Sequence, residues 1–264
     1  MPKTLRRPSP RGIAALVLAA LLSGCATTPT TPPLPPERIA AIVASPDRSE
    51  ADRKNDERRM PEAVLAFIGI RPGWVALDVS AGGGYTTELL ARAVGPSGQA
   101  YGQSPARPNA TRSSAMALAQ RQTALVAAQV PAATLVAVPQ PFDNPVPPGL
   151  ADGGLDLVTL MFNYHDLGAA GVDRAKMNAA IYRALKPGGL YVIADHAGRP
   201  GTGISESNTL HRIEESFLKA EVEAAGFRLA EEGSFLRNPN DPRDRETPEP
   251  AMPKDEFVLK FRKP

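Results

Sequence analysis

From Pro61 onward the chain repeats one unit: a short apolar run, a turn, then a longer amphipathic segment. Strands alternating with helices fold as a parallel sheet covered on both faces, because each crossover needs a helix to return the chain. The spacing predicts helix 61–68, strand 74–79, helix 86–94, strand 100–102, helix 109–129 and strand 134–138. It continues with strand 155–161, helix 173–185, strand 190–195, helix 212–225 and two closing strands, 227–230 and 257–261. No helical pattern separates those last two, so the final strand is expected to run antiparallel. The expected class is α/β, a mostly parallel sheet with helices on both faces.

The first strand runs into Asp78-Val79-Ser80-Ala81-Gly82-Gly83-Gly84 and then a helix. A glycine-rich loop there brings bare backbone and helix N-terminal amides against a ligand at the carboxyl edge of the sheet. The dinucleotide fingerprint G-x-G-x-x-G fails because Thr87 holds its third glycine position, and the Walker loop fails for want of Gly-Lys-Ser/Thr.

What fits is D-x-G-x-G-x-G with Ser80 in the first glycine position. This resembles motif I of the class I S-adenosylmethionine-dependent methyltransferases. Leu185-Lys186-Pro187-Gly188-Gly189-Leu190 looks like that family's turn into its fifth strand, and Asp156-Leu157-Val158 like its fourth. Asn163-Tyr164-His165-Asp166, Asp195-His196 and the closing 257–264 segment resemble a bacterial subgroup of predicted, often exported methyltransferases. The resemblance implies a Rossmann-like seven-stranded sheet of order 3-2-1-4-5-7-6, S-adenosylmethionine as cofactor and a small-molecule methyl acceptor. It implies that Asp78 orients the loop and the cofactor's amino-acid portion, and that Gly82 and Gly84 allow close approach of its methionine and ribose. Ser80 is compatible with the glycine position if its φ stays negative. Gln103 stands where an acid normally accepts both ribose hydroxyls, and Pro139-Gln140 where an acid commonly binds the adenine amine.

His165 and His196 are expected near the carboxyl ends of adjacent strands, beside the cleft, with Asp166 and Asp195 next to them; His211 follows. A histidine there can deprotonate an acceptor, with a carboxylate fixing its tautomer. The same groups could instead ligate a metal, two or three imidazoles and a carboxylate around an open position, or simply hydrogen-bond structurally. His165 assisted by Asp166 is the first choice for acceptor activation, and His196 with Asp195 the second. Tyr164 either stacks on the acceptor or is a core aromatic. A fold kept without its cofactor is the rival reading of the whole chain.

The amino terminus reads as an address. A basic stretch to Gly12 precedes ten apolar residues, Ile13–Leu22, too few to span a bilayer. Leu22-Ser23-Gly24-Cys25 then resembles a bacterial lipobox, which implies cleavage before Cys25 and its acylation. Ala26 points to the outer membrane, periplasmic face. The expected organisation is a signal peptide over 1–24, a Pro/Thr-rich linker over 25–48 that includes TTPTTPPLPP, and one domain over 49–264. Within that domain Ser49–Arg59 reads as a helix capped by Ser49, either a solvated face or a lid over the cleft.

The chain carries 30 Lys and Arg against 28 Asp and Glu. Four of the basic residues sit in the first 24, which hold no acid, leaving 26 basic against 28 acidic beyond them. That balance excludes a basic nucleic-acid footprint. A single Cys excludes an intrachain disulfide framework and a multi-Cys zinc module.

Overall fold

A computed structural model describes residues 1, 31–106, 113–248 and 251–264. The expected signal peptide, the acylation site Cys25 and the start of the Thr/Pro-rich spacer lie outside the described residues. Thr31–Pro264 form one compact unit.

Seven strands make one sheet of order β3-β2-β1-β4-β5-β7-β6. They are β1 (Val75–Val79), β2 (Gln99–Gln103), β3 (Leu135–Val138), β4 (Leu155–Met161), β5 (Leu185–His196), β6 (Arg228–Gly233) and β7 (Glu256–Arg262). The first five pair in parallel, and β7 runs antiparallel to both β5 and β6. The strand order and closing antiparallel pair are those expected from the sequence.

Alternation along the central strands fills two cores. Ala76, Leu157, Val192, Ala194 and Val258 face one side, with residues of α1 (Pro36–Val43), α3 (Pro61–Ile68), α4 (Tyr85–Val94) and α5 (Ser114–Ala127). Leu77, Val158, Leu160, Tyr191, Ile193 and Phe257 face the other, with α6 (Tyr164–Ala169), α7 (Arg174–Ala184) and α9 (Glu215–Ala224). Near-continuous apolar strands are what a sheet buried on both faces requires.

Several boundaries differ from expectation for identifiable reasons. The folded unit begins before Ser49: residues 31–48 of the expected linker belong to it. The Leu34 amide donates to the Ile70 carbonyl, and Ile39 and Val43 of α1 are buried in the first core. Pro36 stands at the first turn of α1, where its missing N–H costs no bond. The last helix starts at Glu215, three residues later than expected, because Arg212 is drawn inward and fully buried. Its guanidinium donates to the Ala197 and Arg245 carbonyls and pairs with Asp241 at 2.9 Å. Two short helices were not anticipated, α6 and α8 (Ser207–Leu210). No helix among the described residues is long and apolar enough to cross a membrane.

Helix α2 (Glu50–Arg59) is capped by Ser49, whose side chain accepts from the Asp52 amide. Most of it is the solvated face expected, with Arg53, Lys54 and Glu57 exposed, and it does not line the glycine loop's cleft. Its inner side is held by ion pairs: Asp52 with Arg121, Asp56 with Arg48, and Arg58 with Glu256. Arg121 also reaches Glu88 and donates from Nε to the Gly83 carbonyl at 2.6 Å, so α2, α4, α5 and the glycine loop share one guanidinium. Arg92, with a side chain only 3% exposed, joins Glu88 to Asp47 before α2.

Replacing Ile39 with Ala removes a buried side chain from a packed site, so urea unfolding is expected to lose about 2–4 kcal/mol. A free tether before Ser49 would leave the midpoint unmoved.

Candidate active site at the carboxyl edge of the sheet

The glycine loop leaves β1 at Asp78, whose carboxylate is buried and accepts from the Thr87 and Thr159 hydroxyls at 2.7 and 2.9 Å. It therefore anchors the loop from beneath and does not reach into the cleft. Burial pushes its carboxyl up to about 6, partly offset by the two threonines. Ser80 adopts φ 62, correcting the expectation of a negative φ: this position does need a left-handed residue. Its hydroxyl is tied to Asn163 Oδ1 and its amide donates to Gln103 Oε1 at 3.1 Å.

Gly82 and Gly83 are exposed and line an open cleft of about 740 Å³. Ser80, Ser104, Ser113, Ser114, Asn163 and Asp166 supply its polar wall. Past Ser104 and Ser113 the cleft meets a recess of about 280 Å³ beside Gly102, Val138 and Pro139. The size suits a nucleoside-sized ligand, since small-molecule sites run about 300–1,000 Å³. Gly84 does not line the cleft. A Cβ there would lie 2.7 Å from Leu118 Cδ2, so this glycine lets α5 pack against the loop and has no part in close approach to a cofactor.

Gln103 is fully buried, with Oε1 on the Ser80 amide and Nε2 donating to the Gln140 carbonyl at 2.7 Å. Both ends of its amide are spent on backbone, and the ribose role expected for it is not available. The neighbouring Ser104 faces the cleft instead, its hydroxyl accepting from the Gly82 amide at 3.2 Å. Ser114 Oγ is buried with no partner among the described residues. Sequence reasoning missed both serines; the side-chain alternation that turns Gln103 inward was the available signal for Ser104.

Across the cleft, β4 ends at Met161 and Phe162 takes φ 60, after which α6 carries Tyr164, His165 and Asp166. Tyr164 is fully buried in the second core, its hydroxyl 3.0 Å from Glu221 and accepting from Asn178 at 2.9 Å. The acceptor-stacking role is thereby ruled out; Tyr164 is a core aromatic.

His165 is buried, and Asp195 at the end of β5 fully so. Asp195 accepts from the His165 and His196 amides, each at 2.8 Å, and lies 2.6 Å from His165 Nδ1. A carboxylate can only accept, which assigns the imidazole proton to Nδ1 and leaves Nε2 turned toward Asp166 Oδ1, 3.2 Å away. Burial lowers the His165 pKa, but the Asp195 hydrogen bond and the Asp195 and Asp166 charges outweigh it, and the net shift is upward. Asp195 is thus a positioning residue.

His196 differs. Burial holds it below the ordinary range despite Glu256, whose Oε1 lies 2.9 Å from Nδ1 but out of line for a hydrogen bond. Asp166 is 40% exposed, accepts from Asn163 on Oδ2 at 2.7 Å and meets His211 Nδ1 on Oδ1 at 3.0 Å. The structure thus brings His165, Asp166, Asp195, His196 and His211 together and removes Tyr164 from the set.

Two substitutions check this arrangement. Asp78 has a folded pKa raised above its unfolded value, so the stability it contributes is present below pH about 4 and lost as pH rises through about 6. Asp78→Asn should therefore gain up to about 3 kcal/mol over the parent at pH 8, shrinking to nothing near pH 4, in urea midpoints taken against pH. Gln103→Glu, which restores the family's acid, should lose about 2–3 kcal/mol by setting a buried carboxylate against the Gln140 carbonyl, with no gain in cofactor affinity by calorimetry.

No family model matches the sequence, and no curated protein matches it. Solved structures do. A SAM dependent methyltransferase from Aquifex aeolicus superposes with TM-score 0.56 at 18% identity, over 88% of this chain and 100% of that one. CrArsM, an arsenic (III) S-adenosylmethionine methyltransferase from Chlamydomonas reinhardtii, gives 0.56 at 16% identity, over 87% of this chain and 74% of that one. The [4+2]-cyclase SpnF gives 0.53 at 18%, over 84% of this chain and 86% of that one. At such identities the likeness is one of fold: this chain is folded like the class I S-adenosylmethionine-dependent methyltransferases.

Proposed function

We propose that the protein transfers a methyl group from S-adenosylmethionine to a small acceptor, as a lipoprotein held through Cys25 on the periplasmic face of the outer membrane. The observation that carries the reaction is the open cleft above Gly82 and Gly83, beyond the carboxyl ends of β1 and β4, where the strand order reverses and open α/β sheets bind ligands. Had side chains filled it, the fold would have been kept without the cofactor.

The residues present fit that cofactor. Gly82 and Gly83 offer backbone without side chains, Ser104, Ser113 and Ser114 offer hydroxyls, and Ser114 Oγ is a buried polar atom without a partner among the described residues. Bound S-adenosylmethionine supplies an electrophilic methyl on a sulfonium, already a good leaving group. The chain's own work is positioning: holding the acceptor lone pair on the methyl's far side and receiving the acceptor's proton. Asp166 lines the cleft, His165 and His211 pack against it from behind, and Asp195 and Asn163 fix their orientation.

Titrating the purified protein with S-adenosylmethionine should give saturable, equimolar heat. No binding at millimolar concentration ends this reading. Gly83→Val is the paired control: its Cβ would enter open space and its φ is not left-handed, so the fold should hold. The branched side chain would occupy the cleft and weaken binding by tenfold or more.

A further inference from the structure

Three ligand-type atoms converge at Asp166, which lines the cleft. His165, Asp166 and His211 each offer one, all within 4.8 Å of one another. His165 carries its proton on Nδ1, facing Asp195, so Nε2 presents a lone pair. Asp166 Oδ2 is spent on the Asn163 amide, which leaves Oδ1, also a lone-pair atom, opposite Nε2 at 3.2 Å and His211 Nδ1 at 3.0 Å. Two protons, one on each facing imidazole nitrogen, or one cation would settle all three atoms.

The spacing and the supports agree. Donors around a zinc-type ion with bonds near 2.1 Å lie about 3.4 Å apart in a tetrahedron, close to the two separations above. Asp195 on His165 makes the carboxylate–histidine outer shell that fixes a ligating imidazole, and Asn163 fixes Asp166 in the same way. His211 is held at φ 51, a conformation that disfavours an ordinary side chain, and this aims its ring at Asp166. The buried Arg212 beside it, locked by Asp241 and the Arg245 carbonyl, secures that turn. This gives the 238–245 insertion a role that the sequence alone left unexplained.

We propose that His165, Asp166 and His211 bind one divalent first-row transition cation, with its open coordination position toward the cleft. Two imidazoles and one carboxylate favour a zinc-class ion over magnesium or calcium, which take oxygen ligands. The open position suits a small molecule carrying a hydroxyl or carboxylate, and calling that molecule the methyl acceptor rests on the methyl-transfer reading above.

The test is calorimetric titration of the chelator-stripped, untagged full-length protein with zinc alone, and separately with S-adenosylmethionine alone. One equivalent of zinc should bind at micromolar affinity or tighter. His211→Gly, which suits the left-handed backbone, and Asp166→Asn should each weaken binding at least tenfold, while Cys25→Ser, which removes the one thiol, leaves it unchanged. Circular dichroism confirms that each variant is folded. No saturable zinc uptake by folded protein overturns the proposal, as does uptake that survives both ligand substitutions or disappears with Cys25→Ser. Zinc uptake without S-adenosylmethionine binding leaves the cation site standing and removes methyl transfer. The reverse result removes the cation site alone.

Discussion

The Asp195 carboxylate is the fixed point of the site. It is fully buried, and a charge taken out of water persists only where donors surround it. Three donors do: the two amides of His165 and His196 and the ring of His165. They come from the end of β5 and the start of α6, two segments that a parallel sheet would otherwise leave to separate loops. Satisfying one carboxylate therefore locks the tautomer of His165, the turn out of β4 and the direction in which Asp166 emerges.

A second constraint acts from the other side. Ser80 links the glycine loop to Asn163, and Asn163 links onward to Asp166, so the cofactor wall and the histidine wall are one hydrogen-bonded path. Glycine at position 80 would relieve the backbone but cut that path. Arg121 performs a comparable service behind the loop, tying the Gly83 carbonyl to Asp52 of α2 and Glu88 of α4. The loop is thus held on both faces by side chains remote in sequence, as a preorganised site requires.

Much of the fold was legible because its signals are local and periodic. Alternating apolar runs and the helix-free closing pair lead to the sheet order, and the glycine loop to the place of the cleft. The site was legible only to the level of which residues lie near it. Gln103 carried the right spacing for a ribose contact, but whether a strand-end side chain faces ligand or loop depends on the Ser80 and Gln140 backbone, which no spacing reports. Tyr164 was ambiguous because a six-residue helix has too few turns to show a buried stripe. The burial of Arg212 depends on Asp241 and Arg245, residues of a polar insertion that reads as solvent-facing. Helix α1 hid behind the prolines that introduce it.

The early docking of Leu34 sets the geometry of any anchor. Eight residues separate Cys25 from Leu34, whose amide is already bonded to the Ile70 carbonyl. Fully extended, such a stretch spans at most about 30 Å, against roughly 80 Å had the chain stayed free to Ser49. With the lipid on Cys25, Leu34 would lie no more than about 30 Å from the acylated residue, confining the enzyme to a shallow layer of solvent. Acceptors dissolved in that layer, or lodged among the lipid headgroups, would be within its reach; those deeper in the compartment would have to come to it.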